Sequence, residues 1–142
     1  MAVESPYVWD ESFKALVDFS TTGGAGYGNR QFCFVCMSSG EGSVALCTGS
    51  SGGSGGAIGV LQNAPTSGHA ATVRILGKTK IYTSAAVAIG AHITASTEGA
   101  AVTAASTGQY AFGMAVSTST AAGQLVEVLL TGRYPWAVGS SA

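Results

Sequence analysis

From Gln31 onward the apolar residues of this chain come in short runs separated by turn formers. "QFCFVCM" and "SVALC" flank "SSGEG", the signature of a β-hairpin. "AIGVLQ", "AATVRIL", "KIYT", "AHITA", "AAVTA", "QYAFGMAV" and "QLVEVLL" follow. Between them stand Ala64-Pro65, Ser67-Gly68, Gly77-Lys78, Glu98-Gly99, Thr107-Gly108 and Gly123. Turn signals recurring about every 8–12 residues mark a sandwich or barrel. Within "TVRI", Val73 and Ile75 alternate with Thr72 and Arg74, so the first pair should face inward and the second outward. The reading is an all-β domain over residues 31–132, a small sandwich or barrel-like body of short strands.

Residues 1–30 carry a different pattern and read as an N-terminal arm. Ser5 and Pro6 suit an N-cap and the first helical position. Trp9, Phe13, Leu16 and Val17 recur at i, i+4, i+7 and i+8, one face of a short amphipathic helix. Asp10 and Lys14 are spaced for an ion pair on another side of that helix. "TTGGAGYGN" is a flexible link, "TGSSGGSGG" a Gly/Ser loop, and residues 133–142 a C-terminal tail.

Composition narrows the function. Only 9% of residues are charged, against about 25% in an ordinary globular domain. Few charges and many small residues suit a surface that rests against other protein. The net charge of -1 and six scattered basic residues argue against a nucleic-acid partner, which demands clustered Lys and Arg. Arg74, Lys78 and Lys80 are the densest group and read as a solvated hairpin tip. Acidic residues occupy the place where an export signal needs a basic start, and no apolar run of about 18 residues suggests a membrane span. Synthesis in a cytoplasm is the expectation.

Catalytic signatures are incomplete. Gly77-Lys78-Thr79 ends like a phosphate-binding loop, but Thr72 stands where the first glycine belongs, and β-patterned runs lie on both sides. A hairpin turned at Gly77 is the simpler reading. "GGAGYGN" has Asn29 in place of the third glycine of a dinucleotide fingerprint. "CFVC" has CxxC spacing, yet Cys33 and Cys36 on a strand point to opposite faces, and no second pair completes a metal site. Cys33, Cys36 and Cys47 read as buried thiols. His69 and His92 stand at no ligand spacing to them, and no serine occupies a nucleophile elbow. The expectation is a protein that is not an enzyme and uses no metal or cofactor.

The run from Ala57 to Leu130 resembles a family of tailed-bacteriophage capsid decoration, or cement, proteins. The resemblance rests on Gly59-Val60-Leu61-Gln62-Asn63, Pro65, Gly68, Ala71-Thr72-Val73-Arg74, Gly77, Gly90, Gly113, Ala121, Gly123 and Val126-Glu127-Val128-Leu129-Leu130. These are turn glycines and core aliphatics. "FCFVCM" and "VALC" fit the family's first strand pair more loosely. The resemblance implies a small β-rich domain similar in role to the lambda-type head decoration protein. Such a protein is a homotrimer that binds the major capsid protein at local threefold positions on the outer capsid surface. It joins after head expansion, stiffens the virion shell against DNA pressure, and has neither substrate nor cofactor.

The two ends fall outside that resemblance, and both tryptophans lie in them. Aromatic residues are favoured interface anchors because they bury much area with few torsions to freeze. Trp9, Phe13, Leu16, Tyr134 and Trp136 are therefore candidate contacts with the capsid or a neighbouring subunit. The arm could instead cover one end of its own β-domain, or add a strand to a capsid sheet edge. Two other functions stay open: a tail or fibre component, and a virion-displayed carbohydrate-binding domain using Tyr82, Tyr110 and Phe112.

Overall fold

One long strand organises the molecule. In the computed structural model, which describes residues 8–21, 28–49, 56–105, 109–131 and 136–137, residues Ala70–Tyr82 form a continuous strand of 13 residues. Here it is β5, counting β1 Trp9–Ala15, β2 Phe34–Met37, β3 Ser43–Leu46 and β4 Ala57–Leu61 before it. Its odd-numbered residues, from Ala71 through Val73, Ile75 and Thr79 to Ile81, are buried, and the even-numbered ones are half-buried or exposed. The inward Val73 and Ile75 and outward Thr72 and Arg74 are as the alternation predicts.

The first half of β5 closes a barrel. β1 runs antiparallel to β5 and parallel to β3; β3 pairs with β2, β2 with β4, and β4 with β5. Five strands thus form a ring, which leaves no unpaired edge along the barrel wall. Ala15, Val35, Val44, Ile58, Leu61, Ala71, Val73 and Ile75 fill its interior, and Phe19 joins them fully buried. The cluster draws on every strand of the ring.

The second half of β5 carries a second sheet. β10 Leu125–Thr131 pairs along it, followed by β9 Gly113–Ala115, β6 His92–Ala95 and β7 Ala101–Thr103. That sheet packs on the outside of the barrel through Phe34, Val60, Ile81, Ile93, Phe112, Val126 and Val128. The rings of Phe34 and Phe112 lie 5.6 Å apart at 60°, a tilted contact that joins the two halves. β4 lies between both cores, so all five of its residues are buried. Gly59 is required there, since a Cβ would come 2.2 Å from the Arg74 carbonyl oxygen. A small third sheet pairs β8 Tyr110–Ala111 with β11 Trp136–Ala137.

Three expectations need correction. Residues Trp9–Ala15 form a strand rather than a helix, and no helix occurs among the described residues. Spacing of four is even, so Trp9 and Phe13 would share a face in a regular strand as in a helix, but the register shifts between Trp9 and Asp10 and sets Trp9 opposite the exposed Leu76. A helix this short is marginal alone, whereas β5 offers a ladder of backbone partners from Asp10↔Arg74 to Lys14↔Ala70. The Ser5-Pro6 cap lies outside the described residues. Asp10 pairs with Arg74, not with Lys14. Finally, Gly77 makes no hairpin: it sits within β5 at φ 106°, where the strand passes from barrel to second sheet, and pairs with Leu130. The hairpin "SSGEG" is present, since β2 and β3 pair antiparallel.

Candidate interaction surface

Charge is scarce here, so where the charged groups gather is informative. On the outer face of β5, the Arg74 guanidinium donates to both oxygens of Asp10, Nε at 2.8 Å and Nη2 at 3.0 Å. Asp10 holds the guanidinium's pKa above its usual value. Arg74 Nη1 also donates to the Lys78 carbonyl at 3.0 Å. The Lys78 ammonium lies 3.2 Å from Glu127 of β10. Lys80 is exposed and makes no ion pair among the described residues. Arg74, Lys78, Lys80 and Glu127 line an open groove of about 310 Å³ together with Val8, Phe32, Gln62 and Thr79. At its base the Gln62 amide donates to Thr79 Oγ1 at 2.9 Å.

Beside the groove the second sheet presents apolar side chains to solvent. Leu129 lies between Lys78 and Met114 in the strand register, and His92 lies beyond Met114. Leu129 and Met114 are exposed, as are Leu76 and Leu125 on the same outer faces of β5 and β10. A sheet face meant for water alone would carry polar residues at such positions. The signal in the sequence is "LVEVLL", where Leu125 and Leu129 alternate with the core residues Val126 and Val128.

The predicted anchors do not form one face. Trp9 is 50% exposed, and its indole N–H donates to Glu11 Oε1 at 2.6 Å. Phe13 is half-buried against the barrel interior. Leu16 lies past the far end of β1, 44% exposed, with its N–H donating to the Val44 carbonyl. Trp136 lies opposite Ala111 in the small third sheet, and Tyr134 lies outside the described residues. Phe112 is 5% exposed in the second core, so a sugar platform built on Tyr82, Tyr110 and Phe112 loses one of its members.

None of the three cysteines lines the groove. Cys33 lies just before β2 in a small third cluster, and Cys36, within β2, is half-buried against the second core rather than buried as expected. Burial pushes the Cys33 and Cys47 thiols up to about 11 and raises that of Cys36. None of the three forms a disulfide. His69 accepts or donates a 2.7 Å hydrogen bond with the Thr66 hydroxyl. Among the described residues no group of three or more His, Cys, Asp or Glu could hold a metal ion, and no helix is long and apolar enough to cross a membrane. No helix follows Lys78, so the phosphate-loop geometry is absent.

A barrel closed by a parallel β1–β3 pair, with a second sheet grown from one long strand, is a distinctive arrangement. In fold it is similar to the base of a phage head fiber. The crystal structure of the head fiber gp8.5 N base of bacteriophage phi29 matches with a TM-score of 0.63, covering 91% of this chain and 98% of that one. The two sequences are 15% identical, so the likeness is one of fold. No protein-family model matches the chain, and no curated protein matches it.

Proposed function

We propose that this chain is a structural protein of a bacteriophage virion that binds the outer surface of the expanded head. In this reading it binds the major capsid protein as a homotrimer at local threefold positions and stabilises the shell against the pressure of packaged DNA. The observation that carries the reading is the fold similarity to a head fiber base, which spans nearly the whole of both chains. The decoration-protein resemblance of residues 57–130, the 9% charge content and the exposed Leu76, Met114, Leu125 and Leu129 support it.

Stabilisation would come from multivalency. A trimer touching several capsid subunits turns modest contacts into high avidity, because the second and third contacts form at high effective concentration. A protein that binds only the expanded lattice stabilises that state by mass action. Neither effect requires a reactive group.

The same comparison favours a second reading, the base of a fibre standing on the head. The two differ in whether a filament projects from each bound copy. Gold-labelled antibody on purified particles of the phage that encodes the chain separates them. Label over the head surface without projections supports decoration, and label at the foot of a projection supports the fibre base. Label on the tail, or none on the particle, would remove both.

A further inference from the structure

Half of the chain's Lys and Arg converge on one groove. The sequence holds six such residues, and Arg74, Lys78 and Lys80 all line it. Two of the three are matched internally, Arg74 by Asp10 and Lys78 by Glu127. Lys80, opposite Glu127 in the strand register, is the lining cation left without an ion pair among the described residues, because the Glu127 carboxylate lies on Lys78. The groove therefore offers one uncompensated positive charge, which suits a single carboxylate better than a polyanion.

A second observation marks the same place. Phe32, which lines the groove, has φ 65°, the left-handed region, and is the non-glycine residue among those described that adopts it. A bulky side chain rarely adopts that conformation, and such strain tends to persist where the surroundings over-determine it. Here the Phe32 N–H donates to the Leu61 carbonyl at 2.8 Å, and its carbonyl accepts from Tyr82 N–H at 3.0 Å. The two bonds hold the residue between β4 and β5, with its ring half-buried at the groove wall. Val8, 40% exposed, adds a second apolar wall.

We propose that this groove binds an acidic peptide segment of a protein partner, with Lys80 taking one carboxylate and Phe32 and Val8 taking an adjacent apolar side chain. Gln62 and Thr79 bond each other and so fix the groove wall beneath the peptide rather than reaching it. A phosphodiester chain fits less well, because Glu127 stands in the lining and repels a run of anions. The inference is separate from the virion role, because it is tested on the free protein.

The test is an NMR titration of the isotope-labelled full chain with acetyl-Leu-Glu-Leu-amide. Its glutamine counterpart and a six-nucleotide oligothymidylate serve as comparison probes. Expected are saturable amide shifts at Phe32, Gln62, Thr79 and Lys80. The glutamine peptide, and the K80Q variant with the glutamate peptide, should bind about threefold to fivefold more weakly, while K14Q should bind as the native chain does. The same spectra report whether each variant is folded. Absent shifts, equal binding of both peptides, or tighter binding of oligothymidylate would each overturn the proposal.

Discussion

Asp10 of β1 grips Arg74 of β5 through two parallel hydrogen bonds of 2.8 and 3.0 Å, directly across the strand pair that closes the barrel. The register places the two residues opposite each other, so the ion pair and the backbone ladder hold the same seam. A bidentate pair of this kind carries more geometric specificity than a lone surface contact. Both side chains are partly exposed, 33% for Asp10 and 23% for Arg74, so its contribution is modest. Asp10→Asn should lower stability by about 0.5–1 kcal/mol, read as a lower urea midpoint at unchanged slope. Hydrogen exchange should quicken in Trp9–Ala15 before it does elsewhere in the barrel.

Gly59→Ala should be far more damaging. Its Cβ would meet the Arg74 carbonyl oxygen at 2.2 Å and the Val73 side chain at 2.8 Å, and backbone on a neighbouring strand cannot swing away. A loss of at least about 2 kcal/mol is expected, with the β4–β5 pairing the first to open. Thermal unfolding checks the size. A variant as stable as the native chain would mean the two strands are further apart than described.

Phe112→Ala should separate the two halves of the molecule. The ring packs on Phe34 in the core shared by barrel and second sheet, where truncation of a buried aromatic costs about 3–5 kcal/mol. Exchange protection should fall in β6, β9 and β10 while β1 to β4 keep more of theirs. Uniform loss across the whole chain would argue that the two cores unfold as one.

The cysteines set an alkaline limit. Cys33 and Cys47 titrate near 11 when folded against an ordinary value of 9.0, so the folded state holds their protons more tightly than the unfolded chain. Their contribution is fully present below pH 9 and is lost as pH rises toward 11. Urea midpoints of the native chain should fall across that window, and Cys33→Ala should fall less steeply. Alkylation of the folded protein at pH 8 should be slow at Cys33 and Cys47.

Most of the β-domain was legible because a strand with one buried face alternates with period two, as Thr72, Val73, Arg74 and Ile75 do. β1 was misread for a physical reason. Trp9 and Phe13 are compatible with either periodicity, and the deciding factor, a vacant ladder on β5, is distant in sequence. Gly77 was misread because a glycine between two β-patterned runs signals a turn equally well as a kink within one long strand. The groove was invisible in sequence: Phe32 and Gln62 come to Arg74, Lys78 and Lys80 only after β4 and β5 pair. The exposed leucines of "LVEVLL" were readable in principle, since Leu125 and Leu129 flank Glu127 on the face opposite the core residues Val126 and Val128.

Trp9 tests the anchoring role of the N-terminal strand. It is half exposed, and among the described residues its indole N–H bonds the Glu11 side chain two positions on, so its removal should scarcely affect the fold. If it anchors a head-bound trimer, Trp9→Ala should weaken binding by at least about tenfold, as loss of a buried interface aromatic does. Unchanged binding would remove Trp9 from the interface and leave the Leu129–Met114 face as the candidate.

Decoration of an expanded phage head, the function proposed above, is open to a direct binding measurement. Purified protein should be mixed with heads of its own phage that lack it, expanded and unexpanded, then sedimented and the bound copies counted. The account predicts saturation on expanded heads at a multiple of three copies per local threefold position, with unexpanded heads left bare. Folded protein that co-sediments with neither form would contradict it.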